Sequence, residues 1–204
     1  MMPAAQTLLS ELETTLVEAP ATWRRGVLRR IVDLFAAGAA GYTDEQIALF
    51  DLVIGRLAKN ADRSQLAELS NKLSSLDNGP PEVLSDLAGH ADPVIAGPVL
   101  EKAKALPDDA IIALIDNDRV DPKLLSKVAS RLELSAAVSD VLINRGDRAI
   151  ERKVIDNPDA RISEKAFAKL VIEINGDKQL AAAIAARRDV PEDLRAWLAK
   201  VLGQ

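Results

Sequence analysis

Cysteine is absent, so this 204-residue chain forms no disulfide and offers no thiolate to a metal or a substrate. Its single histidine, His90, excludes a multi-histidine metal site. Aromatic residues are only 3%, which leaves few rings for stacking on exposed bases. The ten glycines never gather into a phosphate loop or a dinucleotide fingerprint. No run approaches the roughly 18 consecutive apolar residues that a membrane span needs. Residues 1–10 lack the basic region and apolar core of a secretory signal. With the missing cysteines, this leads us to expect a cytoplasmic protein. There is no basic excess either. The chain has 31 acids against 26 bases, a net charge of −5, which argues against bulk attraction to nucleic acid and leaves a local basic patch as the remaining route.

What the chain does have is apolar residues, 48% of it, mostly aliphatic and spaced as on helices. Leu8, Leu12 and Leu16 recur one turn apart. Val27, Ile31, Leu34 and Phe35 make a second stripe, stopped by Gly38 and Gly41. Thr43 followed by Asp44, Glu45 and Gln46 has the form of a capping box, and Ile47, Phe50, Ile54 and Leu57 should be the buried stripe that follows. A further helix is predicted over 64–73, and Asp77-Asn78-Gly79-Pro80-Pro81 breaks the chain after it.

Beyond that break the sequence repeats. An Asp is followed three and seven positions later by apolar residues: Asp92 by Ile95 and Val99, Asp121 by Leu124 and Val128, Asp147 by Ile150 and Val154, Asp177 by Leu180 and Ile184. The spacings between these Asp residues are 29, 26 and 30 residues. A second apolar landmark follows each: Leu106, Leu134, Ile162 and Val190. Each landmark precedes a helix-start signal at Pro107, Ser135, Ser163 or Pro191. Those starts lead into Ile111 and Leu114, Val138 and Val141, Phe167 and Leu170, Leu194 and Trp197. The predicted unit is two short antiparallel helices, the first capped by Asp and the second opened by Pro or Ser. Neither helix buries its stripe alone, so the units must stack. A fifth, weaker unit begins at Asp62, and Gly97-Pro98 should kink or split the first helix of the Asp92 unit. The expected architecture is therefore all-α: an α-solenoid of HEAT-like repeats in a right-handed stack with units starting near 92, 121, 147 and 177. Residues 76–204 would form the array, and 1–75 a helical cap packed on it. Ile111, Val138, Phe167, Leu170, Leu194 and Trp197 should be buried.

Several stretches carry a family resemblance. They are Leu28-Arg29-Arg30-Ile31-Val32-Asp33-Leu34-Phe35, Asp44-Glu45-Gln46-Ile47-Ala48-Leu49-Phe50-Asp51, Val94-Ile95-Ala96-Gly97-Pro98-Val99-Leu100, Asp140-Val141-Leu142-Ile143-Asn144-Arg145-Gly146-Asp147 and Asn157-Pro158-Asp159-Ala160-Arg161-Ile162-Ser163. Together they resemble a bacterial domain of unknown function, found mainly in alphaproteobacteria, with irregular HEAT-like or leucine-rich-variant-like helical repeats. The resemblance runs from about Trp23 to the C-terminus. It implies an all-helical solenoid in a cytoplasmic bacterial protein. It transfers no activity and no binding residue.

The most suggestive local feature is the cluster Arg24, Arg25, Arg29 and Arg30. Arg25 and Arg29 lie one helical turn apart, and paired guanidiniums suit an acidic partner. The competing reading is an ordinary solvated face with Arg29 or Arg30 pairing to Asp33. Asp116-Asn117-Asp118 with Asp121 resembles a fragment of a calcium loop but lacks its bend glycine and closing acid. His90 reads as a turn histidine bonded to backbone, since only Ser85 offers a nearby hydroxyl. Arg145-Gly146-Asp147 reads as a helix end followed by a cap rather than an adhesion motif.

No catalytic set, cofactor site or metal site is predicted. The leading expectation is a non-enzymatic protein-interaction scaffold whose partner is a protein. The alternative is a nucleic-acid-binding repeat protein with a stripe of Lys102, Lys104, Lys123, Lys127, Arg148, Arg152, Lys153, Arg187 and Arg188. An undetected enzyme ranks last. The sequence leaves open whether the helix over 23–35 packs within the chain or against a second copy.

Overall fold

The computed structural model describes residues 20–174 and 176–203. The predicted stripe of Leu8, Leu12 and Leu16 and the reading of residues 1–10 lie outside them. Among the described residues there are twelve α-helices and no strand: α1 (Ala21–Gly38), α2 (Asp44–Ala58), α3 (Arg63–Leu73), α4 (Pro81–Ala88), α5 (Pro93–Lys102), α6 (Asp108–Ile115), α7 (Pro122–Ala129), α8 (Ala136–Asn144), α9 (Arg148–Asp156), α10 (Glu164–Glu173), α11 (Lys178–Ala185) and α12 (Glu192–Leu202). Two compact units divide between Pro107 and Asp108, later than the boundary at 75 expected from the period.

The capping residues set the helix starts. Asp62, Asp92, Asp121, Asp147 and Asp177 are each the N-cap of a helix and accept a bond from an amide of its first turn. Ser135 and Ser163 do the same for α8 and α10, while Pro80 and Pro191 precede α4 and α12. Thr43 and Gln46 form a full capping box, with bonds of 3.3 and 2.9 Å, as do Asp62 and Gln65.

In the first unit, α1 packs on α3 and α3 on α5, while α2 packs on α4. Neighbours in sequence also touch, α1 with α2, α3 with α4 and α4 with α5. The second unit follows the same rule: α7 packs on α9 and α9 on α11, while α6, α8, α10 and α12 pack in succession. Alternate helices therefore share a side because each amphipathic helix buries one stripe between two rows. The predicted apolar residues of the Asp92, Asp121, Asp147 and Asp177 helices are buried without exception, as are Leu106, Leu134, Ile162 and Val190. Ile111, Val138, Phe167 and Leu170 are buried too.

Four expectations need correction. The buried stripe of α1 is Leu28, Val32 and Phe35, one position on from Val27 and Ile31, and Leu34 is 60% exposed. The reason is Phe35, which meets Tyr42 and Phe50 in an aromatic cluster and fixes the helix rotation. On α2, Ile47 and Phe50 are only half-buried, while Ile54 and Leu57 are buried. Leu194 is half-buried and Trp197 is 43% exposed, on the flank of α12 away from its contacts with α11. Of the two outcomes expected at Gly97-Pro98, a kink or a split, the split does not occur, and α5 runs unbroken through Pro98. The proline removes one amide from the second turn, and Ile95, Ala96, Val99 and Leu100 around it are buried, so packing holds the helix together.

Candidate interaction surface

Arg25 and Arg29 project from α1 toward α3. Arg25 is 2.6 Å from Asp62, and Arg29 is 3.5 Å from Glu68. A third pair closes the seam, where Lys72 of α3 donates to Asp33 of α1. The hydrogen-bonded partner of Asp33 is thus a lysine two helices on, with the Arg29 charge adding to its attraction. Arg24 is half-buried and is itself engaged within the chain. Arg30 is exposed on another side of the helix. The four arginines therefore do not converge on one anion site.

Between these pairs lies a crevice of about 30 Å³, lined by Arg25, Leu28, Arg29, Asp33, Glu68 and Lys72 among others. That is room for about one water molecule. The seam has the chemistry of a helix–helix contact, with charged rims over the apolar Leu28, Val32 and Leu69. The hydrogen bond from Lys72 holds the Asp33 carboxyl below its ordinary range. Asp62 is lowered chiefly by the Gln65 amide, with Arg25 adding to it. Asp92 is lowered by Arg63, then by the Val94 amide. All three acids stay ionised in the fold, each joined to a cation from another turn or helix.

The other sequence candidates resolve into local roles. His90 Nδ1 accepts from the Asp92 amide at 3.0 Å, the expected backbone-bonded turn histidine. Ser85 donates to the Pro81 carbonyl at 2.8 Å. Asn117 accepts from the Arg119 amide and Asp121 from the Lys123 amide, so both oxygens serve turns and caps. Among the described residues no group of three or more His, Asp or Glu side chains is placed to hold a metal ion. Gly146 has φ +80 and separates α8 from the Asp147 cap.

The residues of the proposed basic stripe are largely engaged within the chain. Lys104 pairs with Asp77 at 2.9 Å, Arg152 with Asp156 at 2.7 Å, and Arg148 with Glu151 and Glu173 at 3.2 and 3.3 Å. Lys153 donates to Ser126 Oγ. Arg187 is buried, which removes it from any surface stripe. A cleft of about 740 Å³ between the ends of α9 and α11 carries Arg152, Arg161 and Arg188, but Asp156, Asp159 and Asp189 line it as well.

Burial of Arg187 exposes a feature that the sequence reading missed. Arg131, Asn157 and Arg187 stand ten residues after Asp121, Asp147 and Asp177, and all three are buried. Asn157 Nδ2 donates to the carbonyls of Ala129 and Arg131 at 3.0 and 2.8 Å. Arg187 donates to Ile155, Asn157 and Ala160 at 2.9, 2.7 and 2.6 Å, and its Nε and Nη2 meet Asp189. Asn157 and Arg187 each satisfy open carbonyls at the end of the preceding Asp-capped helix. Each also reaches the backbone at its own register position after that helix, Asn157 that of Arg131 and Arg187 that of Asn157. The available signal was a polar residue recurring at one register position directly after an apolar turn.

Asp51 and Asp140 do comparable work on the other row. Asp51 of α2 is buried and accepts from the Glu82 and Val83 amides at 2.8 Å each, capping α4, whose own N-cap is a proline. Asp140 of α8 accepts from the amide and hydroxyl of Ser163 at 3.2 and 2.6 Å.

An apolar groove of about 710 Å³ opens beside α10 and α12, lined by Ala168, Val171, Ile172, Leu194, Trp197 and Val201 among others. Ile172 is 81% exposed at its edge. No helix among the described residues is long and apolar enough to cross a membrane. A family model described as an uncharacterised protein conserved in bacteria (DUF2336) matches residues 95–204. No curated protein and no solved structure matches the chain.

Proposed function

We propose that this chain, which belongs to the DUF2336 family of uncharacterised bacterial proteins, is a non-enzymatic, cytoplasmic helical-repeat scaffold that binds other proteins. The observation that carries the reading is the register: the same Asp cap and apolar positions recur from 92 to 184, and alternate helices pack in succession within each unit. We read this as a solenoid of two-helix repeats. Such arrays present extended surfaces and work without a cavity. In the second unit Asn157 and Arg187 each spend a buried polar side chain on tying one helix pair to the pair before it. That investment suits a rigid display surface, since fixed contact positions reduce the ordering cost of binding.

The engaged bases weigh against the nucleic-acid alternative. Lys104, Arg148 and Arg152 already neutralise acids of this chain, so fewer of them remain to displace counterions from a phosphate backbone. Affinity purification of the tagged chain from a bacterial lysate, with and without nuclease, separates the two. Specific proteins retained through nuclease and through moderate salt support the scaffold. Recovery that collapses with nuclease, or falls steeply with salt alongside bound nucleic acid, replaces it with the second reading.

A further inference from the structure

The geometry points to the α10–α12 groove as a two-fold contact site for a second copy of this chain, with α12 packed antiparallel on its counterpart about Trp197. The face is apolar and open. Trp197 is 43% exposed, Ile172 is 81% exposed, and Leu194 and Val201 are half-buried along the same stripe of α12. Exposed tryptophan beside protruding isoleucine and an apolar groove is a costly surface to leave in water.

Two features of this face select a second copy over another occupant. The first is shape. Ile172, 81% exposed, stands on the rim of the groove it lines with Leu194, Trp197 and Val201, so knob and hole lie on one patch. An isologous interface needs that arrangement, because each copy must supply what the other receives. The second is charge. Asp193 lines the groove, and Lys200 is exposed two turns further on, so the two share one flank of α12. Trp197 lies between them. In an antiparallel pair centred on Trp197, Asp193 of each copy faces Lys200 of the other. A parallel arrangement would set like charges against each other. The other base of α12, Arg195, points elsewhere, donating to the carbonyls of Arg187, Arg188 and Val190 at 3.3 to 3.4 Å. The opposed helix dipoles add to the preference for antiparallel packing.

Sedimentation equilibrium of the full chain over a range of concentrations tests this. The wild type should dimerise, and Trp197→Glu should weaken the dimer at least tenfold while keeping the helical circular dichroism of the wild type. Asp193→Lys and Lys200→Asp alone should each weaken it several-fold. The double variant carrying both should recover most of the loss, because the swapped charges meet again across the two-fold axis. A wild type that stays monomeric at every concentration overturns the proposal. So does a dimer that Trp197→Glu leaves intact, or a double variant no better than its singles. A Trp197→Glu chain that loses its helical signal shifts the decision to the charge-swap series, which leaves the apolar stripe untouched.

Discussion

Individual residues carry much of the structural logic, and glycines give the plainest cases. Gly26 is exposed in the middle of α1, with open space where a Cβ would stand. Gly26→Ala removes backbone freedom from the unfolded chain and is expected to raise stability by about 0.5–1 kcal/mol in urea unfolding. Gly146 sits at φ +80, where any Cβ is strained, so Gly146→Ala should lower stability by about 1 kcal/mol or more. Equal effects of the two changes would contradict the assigned backbone. Glu151 behaves differently from the capping acids. It is buried on α9 with Oε1 unbonded, and burial pushes its carboxyl above its ordinary value near 4.5. The unfolded chain then releases this proton at lower pH than the folded one. Its contribution is fully present below the unfolded pKa and is lost as pH rises through the folded one. Glu151→Gln should therefore lose less stability than the wild type as pH rises above 4.5, read as urea midpoints at each pH. Identical pH slopes would show that Glu151 is not desolvated. The exposed pairs of Asp33, Asp62 and Asp92 act in the opposite direction, with stability lost only as pH falls below the ordinary carboxylate range.

At the scale of elements, helix starts are where sequence and structure agree most closely. Asp121, Asp147 and Asp177 cap their helices through bonds of 2.8 to 3.2 Å, as the position of a short carboxylate before an apolar stripe implies. Asp51→Ala removes a cap of another kind. It leaves two amides of α4 without their acceptor, and it should cost about 1–3 kcal/mol, with Asp51→Asn recovering part of that. A loss below about 0.5 kcal/mol would mean that water replaces the carboxylate. This cap was not legible in advance, because Asp51 and Glu82 are 31 residues apart and only tertiary packing joins them. The rotation of α1 was hidden for a similar reason. Periodicity placed the apolar face on Val27 and Ile31, one position early, and contacts of Phe35 with Tyr42 and Phe50 turn it to Leu28 and Val32. The arginine cluster looked like a binding site because local sequence shows a charge without its partner. Asp62 and Glu68, which Arg25 and Arg29 face, lie a whole helix away.

For the whole molecule, apolar positions fixed to one register generate each core. Leu170 is fully buried, so Leu170→Asp places an uncompensated charge there. Loss of the cooperative melt or aggregation is expected, and a soluble, cooperatively melting variant would contradict the assigned rows. The helix starts and buried positions were readable because caps and apolar landmarks recur along the sequence. The means of joining successive Asp-capped helices was not, because Asn157 and Arg187 share a position and not a residue type. Repetition of Asp signals a cap, whereas a changing polar residue looks like ordinary surface. Arg187→Met tests that joining most directly, since it keeps much of the buried volume and deletes the donors to Ile155, Asn157 and Ala160. Urea unfolding of the variant should show a loss of about 3 kcal/mol or more, with amide exchange accelerated first in α9 and α11. A loss under about 0.5 kcal/mol with unchanged protection would show that the repeats hold together by apolar contact alone, and that the polar ladder is incidental.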